Sequence, residues 1–154
     1  MTHPLSKRLL TLSDDIFHHG PPRPPEELEQ LERVVDERFP DDYRAVLLEV
    51  GPFQVRGPKI WIILDLVEDV LLSLDDDFLI GRMPGIVMIG NDNGDYGYYY
   101  DPKDRQGRGK FALYCVDRGT LTFEKSRFVA PTLTEAIDQA LAGEDFRERS
   151  TLGN

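Results

Sequence analysis

A polar turn followed by tyrosines is the stretch of this sequence whose residue types best suit a chemical site. It runs IGNDNGDYGYYYD, from Ile89 to Asp101, and places carboxylates and amides beside glycine. Oxygen ligands of this kind are those that Ca²⁺ prefers in proteins. An EF-hand loop with its required glycine at Gly94 would put Ile89 at the first ligand position and Tyr100 where a bidentate glutamate must lie. The sequence therefore excludes an EF-hand.

The same turn allows a looser calcium site and a plain hairpin turn. Asp92, Asn93 and Asp95 carry the oxygens that a calcium site would use. A tight turn needs the same residue types, because Asn, Asp and Gly tolerate positive φ and hydrogen-bond their own backbone. We favour the turn, and the sequence predicts no metal ligand and no cofactor.

The tyrosines after the turn predict a contact surface. In an extended segment, Tyr96, Tyr98 and Tyr100 share one face and the intervening residues share the other. We expect one set to pack in the core and the other to present its phenol groups at the rim of the turn. Tyrosine provides rigid, amphipathic contact area at protein interfaces. The predicted partner-binding set therefore includes these three tyrosines together with Asp92 and Asp95.

The residues that could act as nucleophiles or bases are poorly arranged for catalysis. The three histidines, His3, His18 and His19, precede the domain inferred below, so a Ser-His or Cys-His pair would have to use the N-terminal segment. The sequence GRGK lacks the glycine spacing and the Ser or Thr of a phosphate-binding loop. Cys115 lies in the apolar run FALYCV and is expected to be a buried, reduced thiol. We predict no catalytic residue.

A run of three carboxylates, Asp75 to Asp77, is a second candidate for partner binding. Pairs such as Glu68 with Asp69 could do acid and base chemistry, but a chain rich in acids contains such pairs by chance. The run of three follows a helical pattern, and the negative end of a helix dipole disfavours further negative charge. This unfavourable electrostatic position favours a functional role for the run. Asp75, Asp76 and Asp77 are therefore included among the predicted partner-binding residues.

The charge of the chain is concentrated in one segment. The sequence has 28 acidic and 18 basic residues, and residues 24–80 contain fifteen of the acids but only five of the bases. A negative field repels nucleic-acid backbones and attracts cationic partners. No apolar run approaches the ~20 residues of a membrane span, and no signal-peptide pattern opens the chain. We therefore expect a cytoplasmic protein that binds neither nucleic acid nor membrane.

The pattern of apolar residues predicts a single α+β domain. Helical spacing occurs in residues 26–39, 43–50, 65–78 and 132–143, and an additional helix is predicted between Leu5 and Ile16. Extended patterns occur at KIWIIL, IVMI, YGYYY, FALYCV and LTFEKSRFVA. We predict a mostly antiparallel sheet of about 4–6 strands with helices packed on one face and at the ends. Residues 1–23 form a helical arm and proline-rich joint, residues 24–142 the domain, and residues 143–154 a tail.

Three segments of the chain resemble the SUKH superfamily. They are PPEELEQLERVVDERFPDDYRAVLLEVG, MPGIVMIGNDNGDYGYYYD and FVAPTLTEAIDQAL. The most specific features are the helix-Pro-x-x-Tyr joint from Phe39 to Tyr43 and the IG strand end with its acidic turn and aromatic strand. The superfamily includes the Smi-one/Knr-four-like domain of fungal cell-wall regulators and many bacterial immunity proteins. The resemblance covers roughly residues 24–142.

The resemblance implies a non-catalytic protein-binding module. An immunity protein neutralises a cognate toxin by covering its active surface, and many toxins answered by this superfamily are nucleases with cationic phosphate-binding sites. The acidic segment would suit such a partner. Two alternatives stay open: an intracellular regulatory or scaffold adaptor of the cell-wall-regulator type, and a small metal-assisted hydrolase. The sequence does not indicate the oligomeric state.

Overall fold

A seven-stranded antiparallel sheet, with its strands in chain order, organises the protein. The computed structural model describes residues 2–153. The strands are β1 (Phe17–His19), β2 (Phe53–Arg56), β3 (Trp61–Leu64), β4 (Val87–Asn91), β5 (Tyr96–Tyr100), β6 (Leu113–Asp117) and β7 (Arg127–Ala130). The predicted α+β class and antiparallel sheet are confirmed. The predicted number of strands was too low.

The additional strands are β1 and β2. They have three and four residues, and Phe17 of β1 pairs with Val55 of β2. So short a strand offers too few positions for a period of two to be visible in the sequence. The strand β1 lies within the arm, directly after the segment that the pattern from Leu5 to Ile16 predicted as a helix. That helix is shorter than predicted, since it ends at Leu10.

Five of the helices pack on one face of the sheet. The helices are α1 (Pro4–Leu10), α2 (Pro25–Val35), α3 (Asp41–Glu49), α4 (Val67–Leu74), α5 (Asp77–Arg82) and α6 (Leu133–Leu141), followed by a 3-10 turn at Phe146–Glu148. All but α5 contribute to the main core. In that core Tyr43 of α3 packs edge-on against Tyr100, with ring centroids 5.9 Å apart. Aromatic rings prefer such edge-to-face contacts over a face-to-face sandwich.

The segments at both ends of the chain belong to this core. In α1, Leu5 and Leu9 are buried. Glu49 of α3 accepts hydrogen bonds from the His3 amide, at 3.0 Å, and from the Ser6 hydroxyl, at 2.8 Å. At the other end, Phe146 is buried. The arm and the tail therefore both pack on the domain.

The helix predicted for residues 65–78 is two helices. The helix α4 ends at Leu74, and Asp75 is its C-terminal cap. Asp76 is the N-terminal cap of α5, and its carboxylate accepts a hydrogen bond from the Leu79 amide at 3.0 Å. Aspartate is among the best residues at this position because it satisfies an amide that the helix leaves free. The acidic run thus lies at a helix junction, and the electrostatic misfit expected from the sequence is absent for Asp76 and Asp77.

A smaller apolar cluster covers the opposite face of the sheet at β4 to β7. There Leu79 of α5 and its C-terminal cap, Met83, pack in one cluster with Tyr99 and Tyr114. The rings of these two tyrosines are stacked, with centroids 5.3 Å apart. Gly97 leaves space for this layer, because a Cβ at that position would lie 2.5 Å from the Met88 sulfur. This half of the sheet is therefore buried on both faces.

A buried carboxylate joins the starts of α3 and α6. Asp42 is 8% exposed, and its Oδ2 accepts hydrogen bonds from the Thr134 amide at 3.0 Å and the Thr134 hydroxyl at 2.8 Å. The amide is one of those that a helix cannot satisfy within its own first turn. Asp42 therefore supplies α6 with an acceptor from a helix 92 residues earlier in the sequence.

We expect the substitution Asp42→Asn to lower the free energy of unfolding by about 1–3 kcal/mol, because asparagine has one acceptor oxygen in place of the two that serve the Tyr43 amide and Thr134. Asp41→Asn is the matched control, since Asp41 lies in the same helical turn but is exposed. That control should cost less than about 0.5 kcal/mol. Urea denaturation measures both. Equal losses would show that α3 needs only the negative charge at its start, and that the link to α6 contributes nothing.

Candidate functional site

The turn between β4 and β5 is held by its own carboxylate. Asp92 Oδ1 accepts hydrogen bonds from the amides of Gly94, at 2.9 Å, and Tyr96, at 3.1 Å. The Asp92 side chain is only 3% exposed and has Arg147 at 3.8 Å. Asn93 adopts a positive φ of 68°. The turn interpretation is confirmed, and Asp92 is a structural residue whose carboxylate does not face solvent.

The tyrosines are less accessible than the sequence suggested. Tyr98 and Tyr100 are 1% and 0% exposed, and the Tyr98 hydroxyl donates a hydrogen bond to the Trp61 carbonyl at 2.7 Å. The helices of the main core cover both side chains, so neither is presented at the surface, where the sequence had placed them for contact with a partner. Tyr96 is half-buried beside Arg127, whose guanidinium donates to its hydroxyl at 3.2 Å. Asp95 is exposed.

Exposed apolar side chains gather on a different part of the molecule. Among residues 2–153, six large apolar side chains are exposed, and five of them lie on α2 or between residues 66 and 80. These five are Val34, Leu66, Leu72, Phe78 and Ile80. The helices α2 and α4 contact each other, as do α4 and α5. We call the exposed side chains of α2, of its C-terminal cap Asp36 and of residues 66–80 the acidic helical surface.

The same surface carries exposed carboxylates. Asp75, Asp76 and Asp77 are exposed, as are Asp36 and Glu68. Within residues 2–153, none of these five forms an ion pair. Large exposed apolar patches with a polar rim are typical of interaction sites. The run of aspartates predicted from the sequence thus lies within a mixed apolar and acidic surface, whose apolar part was not predicted from the sequence.

A groove of about 450 Å³ opens in this surface, at the junction of α4 and α5. The end of α2 lines it with Val34 and the cap residue Asp36, and α5 lines it with Ile80 and, at its C-terminal cap, Met83. A second groove of about 390 Å³ runs between α2 and α4. Asp75 lines both grooves. One of the predicted binding residues therefore stands where the two grooves meet.

The groups with perturbed pKa values do not form a catalytic arrangement. Burial raises the pKa of the Cys115 thiol to about 12, so the thiol stays protonated and is a poor nucleophile. Burial, followed by the charge of Asp69, raises the pKa of Asp65 to about 6. Asn91 donates a hydrogen bond to the Asp65 carboxylate at 3.2 Å. In residues 2–153 no group of three or more His, Cys, Asp or Glu side chains could hold a metal ion.

The raised pKa of Asp65 predicts a specific pH dependence. The folded protein holds this proton up to about pH 6, whereas the unfolded chain releases it near pH 3.9. Between these values the folded state binds more protons, so the stabilisation is complete below the unfolded pKa and is lost as the pH rises through the folded pKa.

The substitution Asp65→Asn removes this titration and keeps an oxygen acceptor for Asn91. We expect the free energy of unfolding of the variant to fall less than that of the original chain between about pH 4 and about pH 7. Urea denaturation across this range measures the difference, with Asp95→Asn as an exposed control. Parallel curves for the variant and the original chain would show that Asp65 has an ordinary pKa.

No helix within residues 2–153 is both long enough and apolar enough to cross a membrane.

Comparison with known protein families identifies a relationship. A family model described as the SMI1 / KNR4 family (SUKH-1) matches residues 22–139. No curated protein matches the chain. The matched region begins in the proline-rich joint and ends inside α6, so it includes the acidic helical surface and the sheet from β2 to β7. The predicted resemblance is confirmed, and because the match covers well over half of the 154 residues, the chain belongs to the SMI1/KNR4 family (SUKH-1).

Proposed function

We propose that this protein is a non-catalytic immunity protein that binds a basic toxin through its acidic helical surface and covers the toxin's active surface. The observation that carries the proposal is the coincidence of two properties on the same elements. Within the part of the chain that the structure describes, exposed carboxylates without an ion pair and exposed apolar side chains both concentrate on α2 with its cap Asp36 and on residues 66–80. Membership of the SMI1/KNR4 family supports a binding role.

The two properties act at different distances. The carboxylates act over about a Debye length, roughly 8–10 Å at moderate ionic strength, and speed the encounter with a cationic partner. The apolar side chains act only on contact, where each square ångström removed from water contributes about 25 cal/mol before the costs of association. Charge therefore sets the rate of association, and apolar burial slows dissociation.

A nuclease toxin is the partner class that this chemistry fits best. An enzyme that acts on nucleic acid must offer cationic groups to the phosphates of its substrate. Carboxylates such as Asp75 and Asp77 are complementary to the same groups, so they would compete for the substrate site directly. The net charge of −10 also opposes binding of the protein to the nucleic acid itself.

Co-expression tests this proposal most directly. The probe is the C-terminal domain of a toxin encoded in a reading frame beside this one. We expect the domain to arrest growth when expressed alone and the protein to restore growth when both are present. Failure to bind or to rescue would contradict the immunity role. Weak binding to many cellular proteins without rescue would favour the regulatory adaptor, and substrate turnover by the isolated chain would favour the hydrolase.

The aspartate run allows a sharper prediction about the binding surface. We expect the double substitution Asp75→Lys with Asp77→Lys to slow association with the toxin domain by about tenfold at low salt, because steering depends on the local field. Asp76 is left unchanged, since its carboxylate caps α5. Stopped-flow fluorescence measures the rate, and circular dichroism checks that the helices are retained.

The matched control is Asp14→Lys with Asp15→Lys, which changes the net charge equally. Both of these residues are exposed in the turn between α1 and β1, outside the acidic helical surface. We expect a much smaller effect on association from this pair. If the two double variants slow association equally, net charge governs the encounter, and the acidic helical surface is not the docking site.

A further inference from the structure

The groove at the junction of α4 and α5 has an apolar rim that the fold does not use. Val34 and Ile80 line it and are 58% and 46% exposed. Neither side chain belongs to the two apolar clusters of the protein, although the neighbouring Val35 and Leu79 do. Both residues are β-branched, and β-branched side chains lose rotamer freedom in a helix. Helix stability therefore does not explain their presence at exposed helical positions.

A third residue of the groove is also unfavourable for local structure. Asp36 caps the C-terminus of α2 in the left-handed conformation, with φ of 60°. Glycine occupies such positions at lower cost, because any Cβ is crowded there. The carboxylate adds negative charge near the negative end of the α2 dipole, which is a further small cost. Val34, Asp36 and Ile80 each weaken the local structure, and all three line one groove.

The charges at the rim limit what the groove can accept. Asp36 and Asp75 line the groove, and neither forms an ion pair with another residue in the described range 2–153. Glu37, also at the rim, is paired with Lys110 at 2.9 Å. Among the described residues that line the groove, the one cation is Lys103, which lies across Gly85. Phosphate-bearing ligands and anionic lipid surfaces would be repelled by this rim, and so would a second copy of a chain with a net charge of −10.

We infer that this groove is the anchor site of the docking surface, and that it takes an apolar side chain from a partner segment that also carries lysine or arginine. The apolar side chain packs against Val34, Ile80 and the buried Met83, and the cations of the segment lie over Asp36 and Asp75. The volume of about 450 Å³ falls in the usual range for binding pockets, about 300–1,000 Å³. This inference rests on the proposed function for the identity of the partner but not for the chemistry of the site.

The substitution Ile80→Glu separates apolar anchoring from charge attraction. It adds negative charge at the rim, so a complex held by charge alone would become tighter. A complex anchored by an apolar side chain would become weaker, because the contact at the groove is lost. Buried apolar and aromatic anchors dominate many interfaces. We expect at least about a tenfold loss of affinity, which corresponds to about 1.4 kcal/mol.

The first probe is a short amphipathic peptide of lysine and leucine, long enough for about three helical turns. A second peptide has alanine in place of leucine and the same charge. Heteronuclear NMR of the full chain locates the binding site. We expect the leucine peptide to shift the amides of residues 73–83 and to bind more tightly than the alanine peptide. Ile80→Glu should abolish this preference, and Leu10→Glu, the same change at an exposed leucine of α1, should not.

Several outcomes would overturn the inference. Equal affinity for both peptides, tighter binding by the Ile80→Glu variant, or shifts confined to other surfaces would each show that the groove is not an anchor site. Val34→Glu repeats the test from α2. A loss of affinity in both variants therefore cannot come from a local structural change in α5. If the peptides bind as expected but the toxin domain is not neutralised, the result contradicts the immunity role and supports the groove as an anchor site. If the protein rescues growth and both substitutions leave rescue and toxin affinity unchanged, the result contradicts the groove as an anchor site and supports the immunity role.

Discussion

Burial of both faces of the sheet at β4 to β7 is the constraint on which the rest of the structure depends. The main core of helices covers Tyr98 and Tyr100, and the smaller cluster covers Tyr99 and Tyr114. A sheet covered on two sides has little surface left for binding partners. The exposed side chains that could bind a partner therefore lie on the helices. This constraint explains why a strand with four tyrosines contributes packing, whereas short acidic helices carry the candidate surface.

Much of the fold could be predicted from the sequence, because several segments have local patterns that identify them as helices or strands. The C-terminal helix, predicted for residues 132–143, begins at a cap in which the Thr132 hydroxyl accepts a hydrogen bond from the Glu135 amide. The sequence also predicted the amphipathic helices α2 and α3 and the strands β3 to β7. The elements that were missed, β1, β2 and α5, contain three, four and six residues. Elements of this length are stabilised by tertiary contacts, and no periodic pattern develops within them.

The binding surface was only partly predictable, for a related reason. Alternation in a strand shows which side chains share a face, but it does not show whether a distant segment covers that face. Tyr99 is buried in the smaller cluster, which also contains Met83 and Leu121, so side chains on both faces of the tyrosine strand are in the interior. The apolar part of the surface did leave a signal. Val34 and Val35 are adjacent on a helix, so they cannot both point directly into one core, and Val34 is the one left exposed.

The acidic run links the charge of the candidate surface to its shape. Asp76 caps α5 through its side chain, and the Asp75 amide closes the last turn of α4. The groove lies at this junction, and its width depends on the angle between the two helices. The residues that attract a cationic partner from a distance thus also position Ile80 and Met83 for the contact. Salt screens the long-range part of this interaction and leaves the apolar part largely intact. High ionic strength should therefore affect the rate of encounter far more than the lifetime of the complex, because charge and apolar contact act at different stages of binding.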